Sequence, residues 1–171
     1  MFRLIVALGE IALHRRGPDC LPASSFLLAL VLAADVAVAV VRWWLGGTSV
    51  PIAPLLLVDI TFTFAFLWIA LKAFHRETRF RQTATAIFGT ETLLNVLSTP
   101  LVVWLRDVQA AKGDTALAEV FLWLVILWAI DISGFVLARS LERPYVLGVA
   151  IVLGYALLST SLRVTLFRTA G

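Results

Sequence analysis

The sequence predicts an all-α, polytopic membrane protein with five transmembrane helices and an N-terminal interfacial amphipathic helix. Of its 171 residues, 61% are hydrophobic and only 15% are charged, whereas soluble domains are about 45–50% apolar and about 25% charged. The apolar residues also lie in five long runs without the alternation typical of a β-strand. Five apolar runs do not make a barrel, so helices are the expected membrane-spanning elements.

The first 17 residues are expected to form the interfacial amphipathic helix. Arg3, Ala7, Glu10 and His14 recur at spacings of four, three and four residues, which places them on one stripe of a helix whose other faces are apolar. The segment is too short to cross a membrane. It is therefore predicted either to lie in the membrane interface or to pack on the cytoplasmic ends of the bundle.

The rest of the chain, residues 18–171, is expected to form one five-helix domain. It contains five apolar stretches of about 20 residues, the length that crosses a hydrocarbon core about 30 Å thick. Ser24 precedes the first stretch and is the expected N-cap residue. The predicted spans are 25–45, 52–74, 83–105, 116–138 and 145–167.

The distribution of Lys and Arg predicts the orientation, because cytoplasmic loops carry an excess of positive charge. Nine of the 14 Lys and Arg residues fall toward the side of the N-terminus and five toward the other side. We therefore expect an inner (plasma) membrane protein with a cytoplasmic N-terminus and an external C-terminus. No nucleic-acid partner is expected. Six basic residues are expected to contact anionic lipid headgroups: Arg15, Arg16, Lys72, Arg76, Arg79 and Arg81.

Each of the first four predicted spans carries one acidic residue in its interior, and the fifth carries none. An Asp at the centre of a span costs about 2.5–3.5 kcal/mol, so these acids need a proton, water or a partner. At about 1.5 Å per residue, three of the four lie at similar depths. All four acids, together with one amide, form the candidate intramembrane polar site, which serves either proton or cation movement or hydrogen bonding between helices: Asp35, Asp59, Glu91, Asn95 and Asp131.

Two arginines are candidate partners of Asp59. Arg42 and Arg163 lie a few residues inside the predicted outer ends of the first and fifth spans. Either guanidinium can reach inward to form an ion pair with Asp59, or both can extend to the outer headgroups while their stems cover apolar surface. The sequence leaves both interpretations open.

The third span is the most polar. Glu91, Asn95 and Ser98 share one helix face by their spacing, and Pro100 removes the backbone donor that would bond the Val96 carbonyl. This face is either a functional surface or a polar packing seam beside the proline.

Familiar catalytic and metal-binding patterns are missing from the sequence. Both histidines lie outside the predicted spans, which excludes a bis-histidine haem between helices. A zinc-protease motif, a phosphate loop and an intramembrane Ser–His pair are also missing. The single cysteine, Cys20, cannot form a disulfide within the chain. We expect no cofactor, no metal ion and no catalytic residue.

The region from Gln82 to Leu166 resembles the Yip-domain membrane proteins, and in particular their compact bacterial members. The segments that carry the resemblance are FGTETLLNVLSTP, WLVILWAIDISGFVLARSLER and GVAIVLGYALL. The resemblance implies a cytoplasmic N-terminus and five clustered helices. It transfers no functional residue, because the resemblance lies in the pattern of the helices and not in a specific motif.

These observations favour a non-enzymatic membrane protein that acts by association, as a scaffold or accessory subunit, with another membrane protein or a second copy as partner. Short loops and small-residue helix faces support this expectation. The alternative is a proton- or cation-coupled transporter or channel subunit that uses the intramembrane carboxylates. A third possibility, a lipid-modifying enzyme with a carboxylate site, has no nucleophile or metal set to support it.

Overall fold

A computed structural model describes the backbone of residues 2–47 and 51–168 and the side chains of residues 3–47 and 51–165. Within these ranges the chain forms helices joined by turns, and no strand is present. Five of the six helices are long and apolar enough to cross a membrane, as the sequence predicts. The six helices are α1 (Phe2–Ala12), α2 (Ser25–Gly46), α3 (Ile52–Ala73), α4 (Phe80–Ala110), α5 (Ala116–Leu141) and α6 (Tyr145–Arg168).

The helix boundaries follow local chemistry. The Ser24 hydroxyl accepts a hydrogen bond from the Leu27 amide at 3.3 Å, which confirms the predicted N-cap of α2. Gly47 ends this helix in the left-handed conformation, with φ of 66°, which glycine adopts without a Cβ clash. Helix α4 runs for 31 residues, through Pro100, and exceeds the predicted 83–105. The apolar run did not predict the polar ends of α4, because a helix continues through polar residues as long as its backbone hydrogen bonds form.

Two contacts identify the ends of the bundle. Arg76 and Arg79, in the turn before α4, both form ion pairs with Glu142 in the turn before α6. We call this the basic end. At the opposite end, Arg106 of α4 donates a hydrogen bond to the Leu45 carbonyl of α2 at 2.6 Å. Consecutive long helices therefore run in alternating directions between the two ends.

Helices α5 and α6 pack as a close antiparallel hairpin. A Cβ atom added to Gly148 would lie 2.2 Å from the Gly134 carbonyl oxygen and 2.8 Å from Ala138 Cβ, so the two backbones touch where glycine leaves room. A pair of small residues four apart on α6, Ala150 and Gly154, is exposed. A Cβ atom added to Gly154 would have no neighbour within 4 Å among the described residues. The small residues Gly134 and Ala138 of α5 therefore serve this hairpin, and the pair Ala150 and Gly154 does not.

Helix α1 packs on α4 and α5. Leu8 and Ile11 are 5% and 0% exposed and share a core cluster with α4 and α5 residues. Gly89 of α4 permits this contact, because a Cβ there would lie 2.6 Å from a Leu8 methyl carbon. Of the two arrangements expected for this segment, the structure shows packing on the bundle. Ile5 of α1 and Leu13, just after the helix, remain exposed.

Candidate functional site

A cavity of about 480 Å³ lies inside the bundle, between α3, α4, α5 and α6. Its wall is mostly apolar, but α2 adds Arg42, α3 adds Asp59, α4 adds Glu91 and Asn95, and α6 adds Arg163. These polar groups come from four different helices. The cavity therefore brings together five of the seven residues that the sequence assigns to an intramembrane polar site or its partners.

One side of the cavity is an ion pair between α3 and α6. The Arg163 guanidinium donates to the Asp59 carboxylate, which is one of the two pairings that the sequence leaves open. Thr63, one turn after Asp59, donates its hydroxyl to the Asp59 carbonyl at 2.8 Å. Its oxygen lies 2.7 Å from the Tyr155 hydroxyl. Because Thr63 has only one hydrogen to donate, Tyr155 is the donor in that second contact.

Arg42 takes a different partner on the facing wall. Its guanidinium donates to the Asn95 side-chain carbonyl, and the described residues include no carboxylate within ion-pair distance of it. Asn95 lies one turn beyond Glu91 on α4. The Arg42 guanidinium thus retains N–H donors and a positive charge that is not neutralised by direct contact.

Glu91 lies between these two arginines. Its side chain is exposed to the cavity and is within Coulombic range of Arg42 and Arg163, as well as of Asp35 and Asp59. Among the described residues no donor is hydrogen-bonded to its carboxylate. Glu91 is therefore the acid of the cavity that is free to take a proton or a ligand.

Asp35 lies behind the cavity. It is 7% exposed, one of its carboxyl oxygens lies 3.1 Å from the Thr92 hydroxyl, and it is not part of the cavity wall. The contact joins α2 to α4 outside the cavity wall. Asp35 is therefore positioned to form a hydrogen bond between α2 and α4.

Asp131 belongs to a separate polar cluster. Its carboxylate lies 3.3 Å from His14 Nε2 and accepts the Tyr145 hydroxyl, while the His14 ring stacks on Phe135 at 4.3 Å. These contacts join the end of α1 to α5 and α6, outside the cavity. The acids that the sequence places at similar depths do not share one polar axis, because their helices turn them in different directions.

The predicted lipid-contacting residues divide into two sets. Arg76 and Arg79 are held by Glu142, and Arg16 lies 3.1 Å from Glu10. The other three predicted residues form no ion pair within the described ranges: Arg15, Lys72 and Arg81.

Sequence reasoning missed Tyr155 and Ser159 of the cavity wall. The signal was present, because Tyr155, Ser159 and Arg163 recur every four residues and so share one face of α6. Thr63 likewise follows Asp59 by four residues. Hydroxyl groups were overlooked because they are common in spans and are inexpensive there.

Comparison with protein-family models, with curated protein sequences and with solved structures found no match to this chain. The resemblance to Yip-domain proteins therefore stays a prediction. The cavity and its side chains are the features on which a function can be proposed.

Proposed function

We propose that this protein is an integral, multi-pass membrane protein that carries protons, as a transporter or as a channel subunit, with Glu91 as the proton-binding residue. The observation that supports this role is the carboxyl group of Glu91 in the cavity wall, without a hydrogen-bond partner among the described residues. The negative charge of Asp59 is balanced by Arg163. Glu91 has no such contact, so a change in its protonation breaks no ion pair or hydrogen bond among the described residues.

The shape of the cavity favours a carrier over an open pore. Leu67 and Leu137 are 1% and 0% exposed and line the cavity toward the basic end. One turn further, Leu71 and Leu141 are 0% and 2% exposed in the same apolar cluster. This apolar layer lies between Glu91 and the basic end, so proton passage requires a second conformation in which the layer opens.

The location proposed for the protein is the inner (plasma) membrane, with the basic end and the N-terminus in the cytoplasm. The distribution of Lys and Arg supports this orientation. Arg15, Lys72 and Arg81 are the residues best placed to contact anionic headgroups, because they form no ion pair within the described ranges.

Proton flux into liposomes tests the role of Glu91. The purified protein is reconstituted with a pH-sensitive dye inside, and a potassium diffusion potential drives protons inward. We expect dye acidification with the wild type and its loss in Glu91→Gln. Two matched controls remove an acid outside the cavity, Asp131→Asn and Glu119→Gln, and both are expected to keep the flux. Wild-type flux equal to that of empty liposomes, or undiminished flux in Glu91→Gln, contradicts the proposal.

A second proposed function is association with another membrane protein or a second copy, and one observation favours it. Ala150 and Gly154 form an exposed small-residue pair on α6, and the space around Gly154 is open within the described structure. Small residues four apart let helices approach closely in lipid. Replacing Gly154 by Leu should abolish any oligomer seen by cross-linking in membranes, and Gly9→Leu on α1 serves as the control. An unchanged cross-linking pattern argues against this face.

A further inference from the structure

The cavity has a cation that the proposed proton function does not use. Arg42 reaches the wall with one hydrogen bond to an uncharged amide, whereas Arg163 is neutralised by Asp59. Guanidinium groups bind carboxylates through two parallel hydrogen bonds. A half-buried arginine that keeps free donors inside a cavity is a suitable anchor for a small anion.

The size and lining of the cavity indicate what else that anion must contain. A volume of about 480 Å³ lies within the range of about 300–1,000 Å³ typical of small-molecule sites. Another part of the wall is aliphatic, with Leu94, Leu122, Val125 and Ile126 among its residues. A ligand that fits both parts has one anionic head and a short apolar tail.

Charge balance links this anion to the proton on Glu91. With Glu91 ionised, its charge offsets that of Arg42 at Coulombic range, and a second anion would be repelled. With Glu91 protonated, Arg42 is left uncompensated and an anion restores neutrality. The negative charge of the bound anion then replaces that of ionised Glu91, which avoids an uncompensated positive charge on Arg42 in a low-dielectric interior.

From these relationships we infer that the cavity binds an aliphatic monocarboxylate on Arg42 together with one proton on Glu91. The inference deepens the proposed function and rests on it, since it names the solute that moves with the proton. On binding, Glu91 takes up one proton from water, and the ligand carboxylate accepts hydrogen bonds from Arg42. No covalent bond forms or breaks.

Several other charged or titratable groups face Glu91, and none of them replaces it in this role. From α2 these are Asp35 and Arg42, from α3 Asp59, and from α6 Tyr155 and Arg163. Asp35 lies outside the cavity wall. Helices α1 and α5 contribute no titratable side chain to the wall within the described residues.

The test measures binding of radiolabelled octanoate to the protein in lipid nanodiscs, between pH 6 and pH 9, with empty nanodiscs subtracted. We expect saturable binding to the wild type that weakens up to tenfold per pH unit once Glu91 is ionised. Unlabelled octanol and octylamine, which have the same chain length, should not compete. Octyl phosphate distinguishes a general anion site, because effective competition by it would overturn the assignment to a carboxylate.

Variants separate the two partners. Arg42→Gln should weaken octanoate binding about tenfold or more, and Arg42→Lys should recover part of it because the charge returns. Glu91→Gln should bind octanoate with the same affinity at every pH. The matched controls Arg15→Gln and Glu119→Gln should behave as the wild type, and size-exclusion profiles check that each variant is folded.

The outcomes also separate this inference from the proposed function. No saturable octanoate binding, or wild-type binding in Arg42→Gln, overturns the inference, even where proton flux depends on Glu91. Binding that is independent of pH in the wild type overturns the coupling. Octanoate binding that follows pH while liposomes show no proton flux overturns transport and identifies a binding site only.

Discussion

Asp59 of α3 and Arg163 of α6 form an ion pair on one side of the cavity, although 104 residues separate them in the chain. The Arg163 side chain is 45% exposed and that of Asp59 is 25% exposed, so the contact lies between a surface pair and a buried one. Among the described residues, this pair and the Tyr155–Thr63 contact are the side-chain polar contacts between α3 and α6. The stability of the cavity therefore depends on this pair.

Removing either member of that pair should destabilise the protein. For Asp59→Asn and Arg163→Gln we expect a loss of about 1–3 kcal/mol in the free energy of unfolding, between the values for exposed and buried pairs. The exchange Asp59→Arg with Arg163→Asp should restore part of it. Unfolding in nanodiscs of the wild type, the two single variants and the double variant Asp59→Asn/Arg163→Gln gives a double-mutant cycle. A coupling energy near zero would show that the pair does not hold α3 to α6.

The second prediction concerns the stability of the close contact between Gly134 and Gly148. A methyl group at Gly148 would meet the Gly134 carbonyl oxygen at 2.2 Å, so Gly148→Ala must separate α5 from α6. We expect a loss of about 1–3 kcal/mol. Gly154→Ala on the same helix is the matched control, because its site is open and alanine favours helix by about 0.5–1 kcal/mol. Equal stability of the two variants would contradict the close packing.

A third prediction concerns the attachment of α1. His14 contacts Asp131 and stacks on Phe135, so His14→Ala should loosen the helix and expose Ile11, which is fully buried. Maleimide labelling of Ile11→Cys, in a Cys20→Ala background, should be several-fold faster when His14→Ala is added. The neighbouring change Arg15→Ala is the control and should have no effect. Equal labelling rates in all three would mean that other contacts hold α1.

Orientation provides a fourth prediction. Thr78 lies in the turn at the basic end and Ala111 follows α4 at the opposite end, and both are exposed. In whole cells with Cys20→Ala, an impermeant maleimide should label Ala111→Cys and not Thr78→Cys. Permeabilised cells, in which both should react, are the control. Labelling of Thr78→Cys alone would reverse the proposed topology.

Much of the fold was predictable from local properties of the chain. The length of each apolar run located α2, α3, α5 and α6 to within a few residues, since a span is defined by its own hydropathy. Ser24 was recognisable as a cap because capping depends on neighbouring amides. The polar ends of α4 were missed because they carry no hydropathy signal.

The candidate site was predictable in its residue types but not in its membership. Spacing along α4 placed Glu91 and Asn95 on one face. It could not show that Asp131 turns toward His14, or that Asp35 turns toward Thr92. In the sequence these acids look alike, because each lies in the interior of an apolar helix.

The sequence by itself therefore determined an all-helical chain with five apolar helices and acids placed where charge is costly. Only the tertiary structure decided that Arg163 pairs with Asp59, that Arg42 takes Asn95, and that Glu91 faces a cavity between them. The physical reason is that helical periodicity specifies which residues share a face but not toward which neighbour that face turns. Lipid tails and neighbouring helices are almost equally apolar, so hydropathy cannot distinguish a lipid-facing side from a buried one.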